Sequence, residues 1–167
     1  MSCFIIAEAG VNHNGSEDLA FKLIDIAANA GADAIKFQTF KAEHLVLRGT
    51  STAEYQQRHT GASDQFQMLK ELELSDALHL KLFERCQDRG IEFMSTPFDL
   101  DAADMLMNLG MKHLKIPSGE LTNLPFIKKL ASYNCPIILS TGMSSINEVK
   151  DAVNCIHDER KISVRHG

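Results

Sequence analysis

No stretch of the sequence reaches about 18 uninterrupted apolar residues, the length a helix needs to cross a bilayer. The N-terminal run Met1-Ser-Cys-Phe-Ile-Ile-Ala-Glu8 has neither a basic segment nor a long apolar run. These absences argue against a membrane or secreted protein and lead to the expectation of a cytoplasmic one. No block of five or more like charges occurs, and 17 basic against 22 acidic residues leave a formal charge of −5, which argues against nucleic acid as a partner. The four cysteines, Cys3, Cys86, Cys135 and Cys155, form no CxxC pair. They read as reduced thiols packed in a core, not as disulfides or a zinc site. Only 4 prolines and 10 glycines interrupt a chain that is 44% hydrophobic and 23% charged, so nothing in the composition suggests disorder and a proper core can form.

What is present is an alternation of short apolar runs with segments of helical period, the pattern of repeated βα units feeding a parallel sheet. Strands are expected at residues 4–7, 34–37, 92–95, 113–116 and 137–139, with the start of a sixth at 162–164, and helices at 16–30, 75–88, 100–109, 124–133 and 145–156. Ser16, Ser75 and Ser145 stand where N-caps belong, and Gly31, Gly90, Gly110 and Asn134 where the chain must leave a helix. In the first helix Leu19, Leu23, Ile26 and Ala27 form the stripe expected to face the sheet, with Glu17, Lys22 and Asp25 toward water. The connection over residues 39–74 is far longer than usual and carries Tyr55, Gln56, Gln57, His59 and Gly61. It reads equally as a lid, an oligomer contact or a solvated excursion with a short helix near 64–71.

Ligands of parallel β/α proteins bind beyond the carboxyl ends of the strands, and here nearly every strand ends in polar groups. The first runs into Glu8 and Gly10-Val-Asn-His-Asn-Gly15, the second ends Lys36-Phe-Gln38, and the third ends Ser95-Thr96-Pro97-Phe98-Asp99. The fourth ends Lys115-Ile-Pro-Ser118-Gly-Glu120 and the fifth Ser140-Thr141-Gly142-Met143. Residues two apart on a strand share a face, so Lys36 and Gln38 go together. A buried ammonium is costly unless it meets a carboxylate or an anion. Lys36 and Lys115, with Ser118, Ser140 and Thr141, could cradle a phosphate or carboxylate, and Glu8 and Glu120 could move protons nearby. The duller alternative is that the lysines form ion pairs with Glu8 and Glu120 and bind nothing. Asp99 could equally be the N-cap of the next helix. His13 reads as a hydrogen-bonding or exposed loop residue, and His44, His59, His79 and His157 as exposed.

Together, Ile6-Ala-Glu-Ala-Gly-Val-Asn-His-Asn-Gly15, Ala32-Asp-Ala-Ile-Lys-Phe-Gln-Thr-Phe40, Ser95-Thr-Pro-Phe-Asp99, Lys115-Ile-Pro-Ser-Gly-Glu120 and Leu139-Ser-Thr-Gly-Met143 resemble the motifs of the sialic acid (N-acetylneuraminate) synthase family, in its order and spacing. The family includes relatives that make legionaminic acid, pseudaminic acid and spore-coat polysaccharide, and the resemblance runs over residues 4–145. It implies an α/β fold, a parallel (β/α) TIM-type barrel of which about five units and the start of a sixth are present. It also implies an enzyme that condenses phosphoenolpyruvate with N-acetylmannosamine, a related amino sugar or its 6-phosphate, releasing phosphate and giving a nonulosonic acid. Lys36, Lys115, Ser118 and Ser140 would then hold phosphoenolpyruvate with Thr96 close by. Gln38 and Glu120 would meet the sugar, and Glu8 would lie near the reacting carbons.

A closed barrel of eight units needs roughly 200 residues or more. Residues 1–167 are therefore expected to be the N-terminal part of the barrel domain, without its later strands or the antifreeze-like C-terminal domain. In the family that domain reaches the partner subunit's site, which implies a homodimer. The family also implies a divalent cation, Mn2+ or Mg2+, whose histidine ligands would lie beyond Gly167. Arg165 stands where the family commonly has leucine. The alternative from a different class is a catalytically silent fragment that binds phosphate ligands or assembles with another chain.

Overall fold

The computed structural model describes residues 3–46 and 65–165. Tyr55, Gln56, Gln57, His59 and Gly61 of the long connection lie outside the described residues. The described chain runs β1 (Ile6–Gly10), α1 (Glu17–Asn29), β2 (Ala34–Thr39), α2 (Ala42–Leu45), α3 (Gln65–Glu71), α4 (Asp76–Arg89) and β3 (Glu92–Pro97), then α5 (Leu100–Leu109), β4 (Leu114–Ile116), a 3-10 turn (Ser118–Glu120), α6 (Leu124–Ser132), β5 (Ile137–Leu139) and α7 (Ile146–Arg165). Every strand from β1 to β5 is followed by helix, the expected parallel β/α order. Two compact units divide the chain at the start of β3, Met1–Phe93 and Met94–Gly167. Among the described residues no helix is long and apolar enough to cross a membrane.

In the first unit β1 and β2 pair in parallel, with Ile6 opposite Ala34 and Glu8 opposite Lys36; the register then slips, leaving Ala9 as an extra residue before Gly10 meets Phe37. β2 lies between β1 and β3 in the sheet order. Five of its six residues, all but Gln38, are buried, as expected of a strand covered on both faces. Phe37 stacks on Phe93 at 6.0 Å between centroids, and Phe83 of α4 meets Phe93 edge-on. Ser16 caps α1 by accepting the Leu19 N–H, and Ser75 caps α4 by accepting that of Leu78. Gly31 and Gly90 leave these helices in the left-handed conformation.

The buried face of α1 differs from the expected stripe. Ala20, Ile24 and Ala27 are buried, whereas Leu19 and Ile26 are 39% and 65% exposed. The two alanines let the helix approach closely, and its flank is turned toward α4 by polar links. Asp25 bonds Arg85 at 2.8 Å and Arg89 at 3.2 Å, and Glu17 bonds Lys81 at 2.8 Å. Asp25 therefore meets arginines rather than only water, and the Arg85 hydrogen bond holds its carboxyl below the usual range.

In the second unit β4 and β5 pair in parallel with Lys115 opposite Ile138. Leu106, Leu114, Ile116, Leu121, Ile127 and Leu130 form the core, each at most 1% exposed. Asp99 accepts the Ala102 N–H at 2.7 Å and caps α5, so the capping reading of Asp99 holds. Asn123 caps α6, and Ser145 with Glu148 makes a reciprocal box at the start of α7, Glu148 accepting the Ser145 N–H at 2.7 Å. Residues 162–164, expected to open a sixth strand, instead continue α7. Extending an existing helix adds a backbone hydrogen bond per residue without a neighbouring strand, whereas a new strand requires one.

Candidate functional site

The first unit brings three of the singled-out residues together at the carboxyl ends of β1 and β2. The Lys36 ammonium lies 2.7 Å from Glu8 Oε2; the lysine side chain is only 10% exposed, that of Glu8 56%. The cause is register, since Glu8 and Lys36 are paired neighbours and their side chains leave the sheet on one face. Gln38, two residues on, shares that face. Gly10, at φ +53°, sits beneath both polar groups, so that a methyl group there would lie 3.3 Å from Glu8 Oε1 and 3.7 Å from Gln38 Nε2. Glu8, Lys36 and Gln38 thus cluster above a residue that has no side chain to fill the space. The slip at Ala9 is what puts Gly10 there.

Beyond Gly10 the loop turns into α1 through His13, for which a hydrogen-bonding or an exposed loop position was expected; it is fully buried and hydrogen-bonded. Its Nδ1 accepts the Gly15 N–H at 3.1 Å, so neutral His13 carries its proton on Nε2, a buried atom without a hydrogen-bond partner. Burial, and then His79, hold the His13 pKa below its ordinary value. Gly15 is pressed against the end of α3, where a methyl group would stand 2.4 Å from the Glu71 carbonyl oxygen. The long connection therefore returns to brace the β1–α1 loop. Glu73 ties its two ends, accepting the Ala42 N–H at 2.7 Å and pairing with Lys70 at 3.0 Å.

His79 also departs from expectation, being 1% exposed. Ser75 O can only accept, so its 2.9 Å contact fixes the proton on His79 Nδ1, and Nε2 accepts from the Thr39 hydroxyl at 2.8 Å. Both ring nitrogens find partners one turn back on α4 and on β2, which makes burial tolerable. Desolvation lowers its pKa. His44 and His157 are exposed as expected.

The second unit assembles the other group. Thr96 is buried at 4% exposure near the end of β3, and the preceding Ser95 N–H is received by Met111 Sδ at 3.2 Å. Lys115 is half-buried in β4, its Nζ 3.5 Å from the Ile116 carbonyl. Ser118 opens the turn after β4, and Ser140, just after β5, donates its N–H to Ile116 O at 3.1 Å. Gly142, at φ +51°, lies directly against Ser118. Glu120 is oriented by Asn123, whose side-chain N–H donates to it at 2.7 Å while its oxygen caps α6. Asn123 was not singled out by sequence, although the N-cap preference of asparagine was available to find it.

Chemically, one unit offers a carboxylate, an ammonium and an amide on a common sheet face. The other offers the hydroxyls of Thr96, Ser118 and Ser140, a lysine and an oriented carboxylate, on the strand ends and the loops that follow them. Among the described residues no group of three or more His, Cys, Asp or Glu side chains could hold a metal ion.

Comparison with known proteins places this architecture. The chain is 52% identical over 157 residues to the N,N'-diacetyllegionaminic acid synthase of Legionella pneumophila, covering 93% of this chain and 44% of that protein. It is 50% identical over 153 residues to the enzyme of the same name from Campylobacter jejuni, covering 91% of this chain and 46% of that one. It thus spans under half the length of these curated relatives. The crystal structure of N-acetylneuraminic acid (sialic acid) synthetase from Leptospira borgpetersenii, in complex with citrate, superposes with a TM-score of 0.82 at 34% identity, covering 96% of this chain and 52% of that one. The solved relatives are TIM-barrel-type synthases, and the β/α units here, with their parallel strands, have the same α/β fold class. The NeuB family model matches residues 23–166, which take in every element from within α1 to α7, and the chain belongs to the NeuB family.

Proposed function

We propose that this chain is part of a synthase that condenses phosphoenolpyruvate with an open-chain amino sugar carrying two acetamido groups, forming a nonulosonic acid and releasing phosphate. The observation that carries the proposal is the Glu8–Lys36 pair, a buried lysine held at a strand end by a half-exposed carboxylate. Two relatives at 50% identity or above are named for a diacetylated product, whereas the human N-acetylneuraminate-9-phosphate synthase is 31% identical, and this favours the diacetamido sugar.

In the reaction, C3 of phosphoenolpyruvate attacks the aldehyde carbon, water adds at C2, and phosphate leaves by C–O cleavage. Negative charge is concentrated on the phosphate and carboxylate throughout, and positive charge develops at C2. Lys115, Ser118 and Ser140 are assigned to the anionic groups, where charge-assisted bonds are strongest. Lys36 is assigned to the same substrate, with Thr96 beside it. Glu8 is assigned to orient the attacking water or stabilise the developing cation, and its ion pair with Lys36 supports that assignment by restraining the carboxylate. Gln38 and the Asn123-oriented Glu120 are assigned to the sugar hydroxyls and acetamido groups. The divalent cation implied by the family finds no ligand set among the described residues.

Phosphate release from phosphoenolpyruvate tests this directly. The chain is incubated with manganese and either the 2,4-diacetamido sugar, N-acetylmannosamine or its 6-phosphate, beside a Lys115→Ala variant. Release that requires both the diacetamido sugar and Lys115 is expected. Release with N-acetylmannosamine alone would overturn the substrate assignment. No release from folded protein would favour a silent fragment.

A further inference from the structure

We infer that Gly142 is a positioning residue for Ser118, and that its lack of a side chain sets where the Ser118 hydroxyl can stand. The inference rests on the assignment of Ser118 to phosphoenolpyruvate.

Gly142 adopts φ +51°, and a methyl group built on it would lie 2.7 Å from Ser118 Cβ and 2.8 Å from Ser118 Oγ. Real Cβ atoms do not approach carbon so closely. Of the two contacts, only Oγ can swing away; Cβ is fixed to the backbone, so a larger residue at 142 must move the turn itself. That turn is anchored. Glu120 N–H bonds Pro117 O at 3.0 Å, Leu121 N–H bonds Ser118 O at 3.3 Å, and the Leu121 side chain is sealed in the core at 1% exposure. The opposite loop is equally tied, by Ser140 N–H to Ile116 O at 3.1 Å and Ser144 N–H to Thr141 O at 2.9 Å. The two strand-end loops are therefore in register through a contact between one glycine and one serine. A side chain at 142 would rotate or displace the hydroxyl relative to Ser140, the other serine assigned to the anion.

Gly119, one residue from Ser118, makes the contrast. A methyl group there would meet nothing within 4 Å. Its substitution probes the same turn without the contact.

The test is phosphoenolpyruvate affinity of the 167-residue chain, measured calorimetrically for Gly142→Ala, Gly142→Asn, Gly119→Ala, Ser118→Gly and the Ser118→Gly/Gly142→Ala pair. Asparagine tolerates positive φ and so separates the contact from backbone strain. Loss of one hydrogen bond to a charged group corresponds to roughly tenfold weaker binding or more, expected for both Gly142 variants, with Gly119→Ala within about twofold of the parent. Because Gly142 acts through Ser118, adding Gly142→Ala to Ser118→Gly should weaken binding no further. Parent-like affinity in both Gly142 variants, or losses that multiply in the double variant, would overturn the inference while leaving the phosphoenolpyruvate assignment standing. Absence of binding by the parent chain would refute that assignment and this role with it.

Discussion

The Glu8–Lys36 pair allows a structural role to be separated from a ligand-binding one, because the two partners are unequally buried. At 2.7 Å and an effective dielectric constant near 20 the Coulomb attraction is about 6 kcal/mol. Desolvating an ammonium that is 10% exposed offsets most of it, since the penalty for a buried ion is several kcal/mol. Replacing Lys36 by methionine, similar in length and apolar, should then change stability by no more than about 1 kcal/mol in either direction, because the freed Glu8 is 56% exposed and rehydrates. Replacing Glu8 by alanine is the costly change, since it leaves the buried ammonium without its carboxylate. The expected loss is about 1–3 kcal/mol, less than for a fully sealed pair because water reaches the Glu8 side. The double variant should recover most of that loss. With a urea slope of about 2 kcal/mol/M, Glu8→Ala lowers the unfolding midpoint by roughly 0.5–1.5 M while Lys36→Met leaves it nearly unmoved. Urea melts followed by circular dichroism read the stability arm, and calorimetric titration with phosphoenolpyruvate reads the other. A ligand-binding Lys36 predicts that Lys36→Met keeps its stability and loses its affinity. If Lys36→Met instead unfolds by more than about 2 kcal/mol earlier and binds as well as the parent, the pair is structural and the reasoning fails.

Gly15→Ala should destabilise by more than about 2 kcal/mol, because the new methyl group meets the rigid Glu71 carbonyl at 2.4 Å on top of the positive-φ strain, whereas Gly31→Ala, with nothing within 4 Å, should cost only about 1–2; urea midpoints compare them. His13 and His79 both have pKa values lowered by burial, so below the ordinary value of 6.5 the unfolded chain takes up protons that the folded chain refuses. Stability should be fully present above that value and fall as the pH drops below it, and His79→Gln should flatten part of that slope in a pH series of melts. The Cys86 thiol is pushed up to about 12 by burial, while Cys3 is exposed. In the native protein at pH 8 a thiol reagent should therefore label Cys3 within seconds to minutes and leave Cys86 untouched until denaturant is added, and equal labelling of both would contradict the buried placement.

Local order was readable in the sequence wherever it depends on neighbours along the chain. Ser16, Ser75 and Asp99 cap their helices as their side chains dictate, and Gly31, Gly90 and Gly110 turn out of them at positive φ. The strand ends that carry Glu8, Lys36, Thr96, Lys115, Ser118 and Ser140 were equally plain, because alternation and polar termination are properties of a short run of residues. Tertiary packing decided what depends on partners far apart in sequence. It buried Ala20 and Ile24 in place of Leu19 and Ile26, since the face of a helix that is covered depends on what lies beside it. It sealed His79 by bringing Thr39, forty residues away, to its ring. It also pressed Gly15 on the Glu71 backbone and Gly142 on the Ser118 side chain, contacts defined by the approach of segments far apart in the chain, for which one residue type in isolation carries no signal.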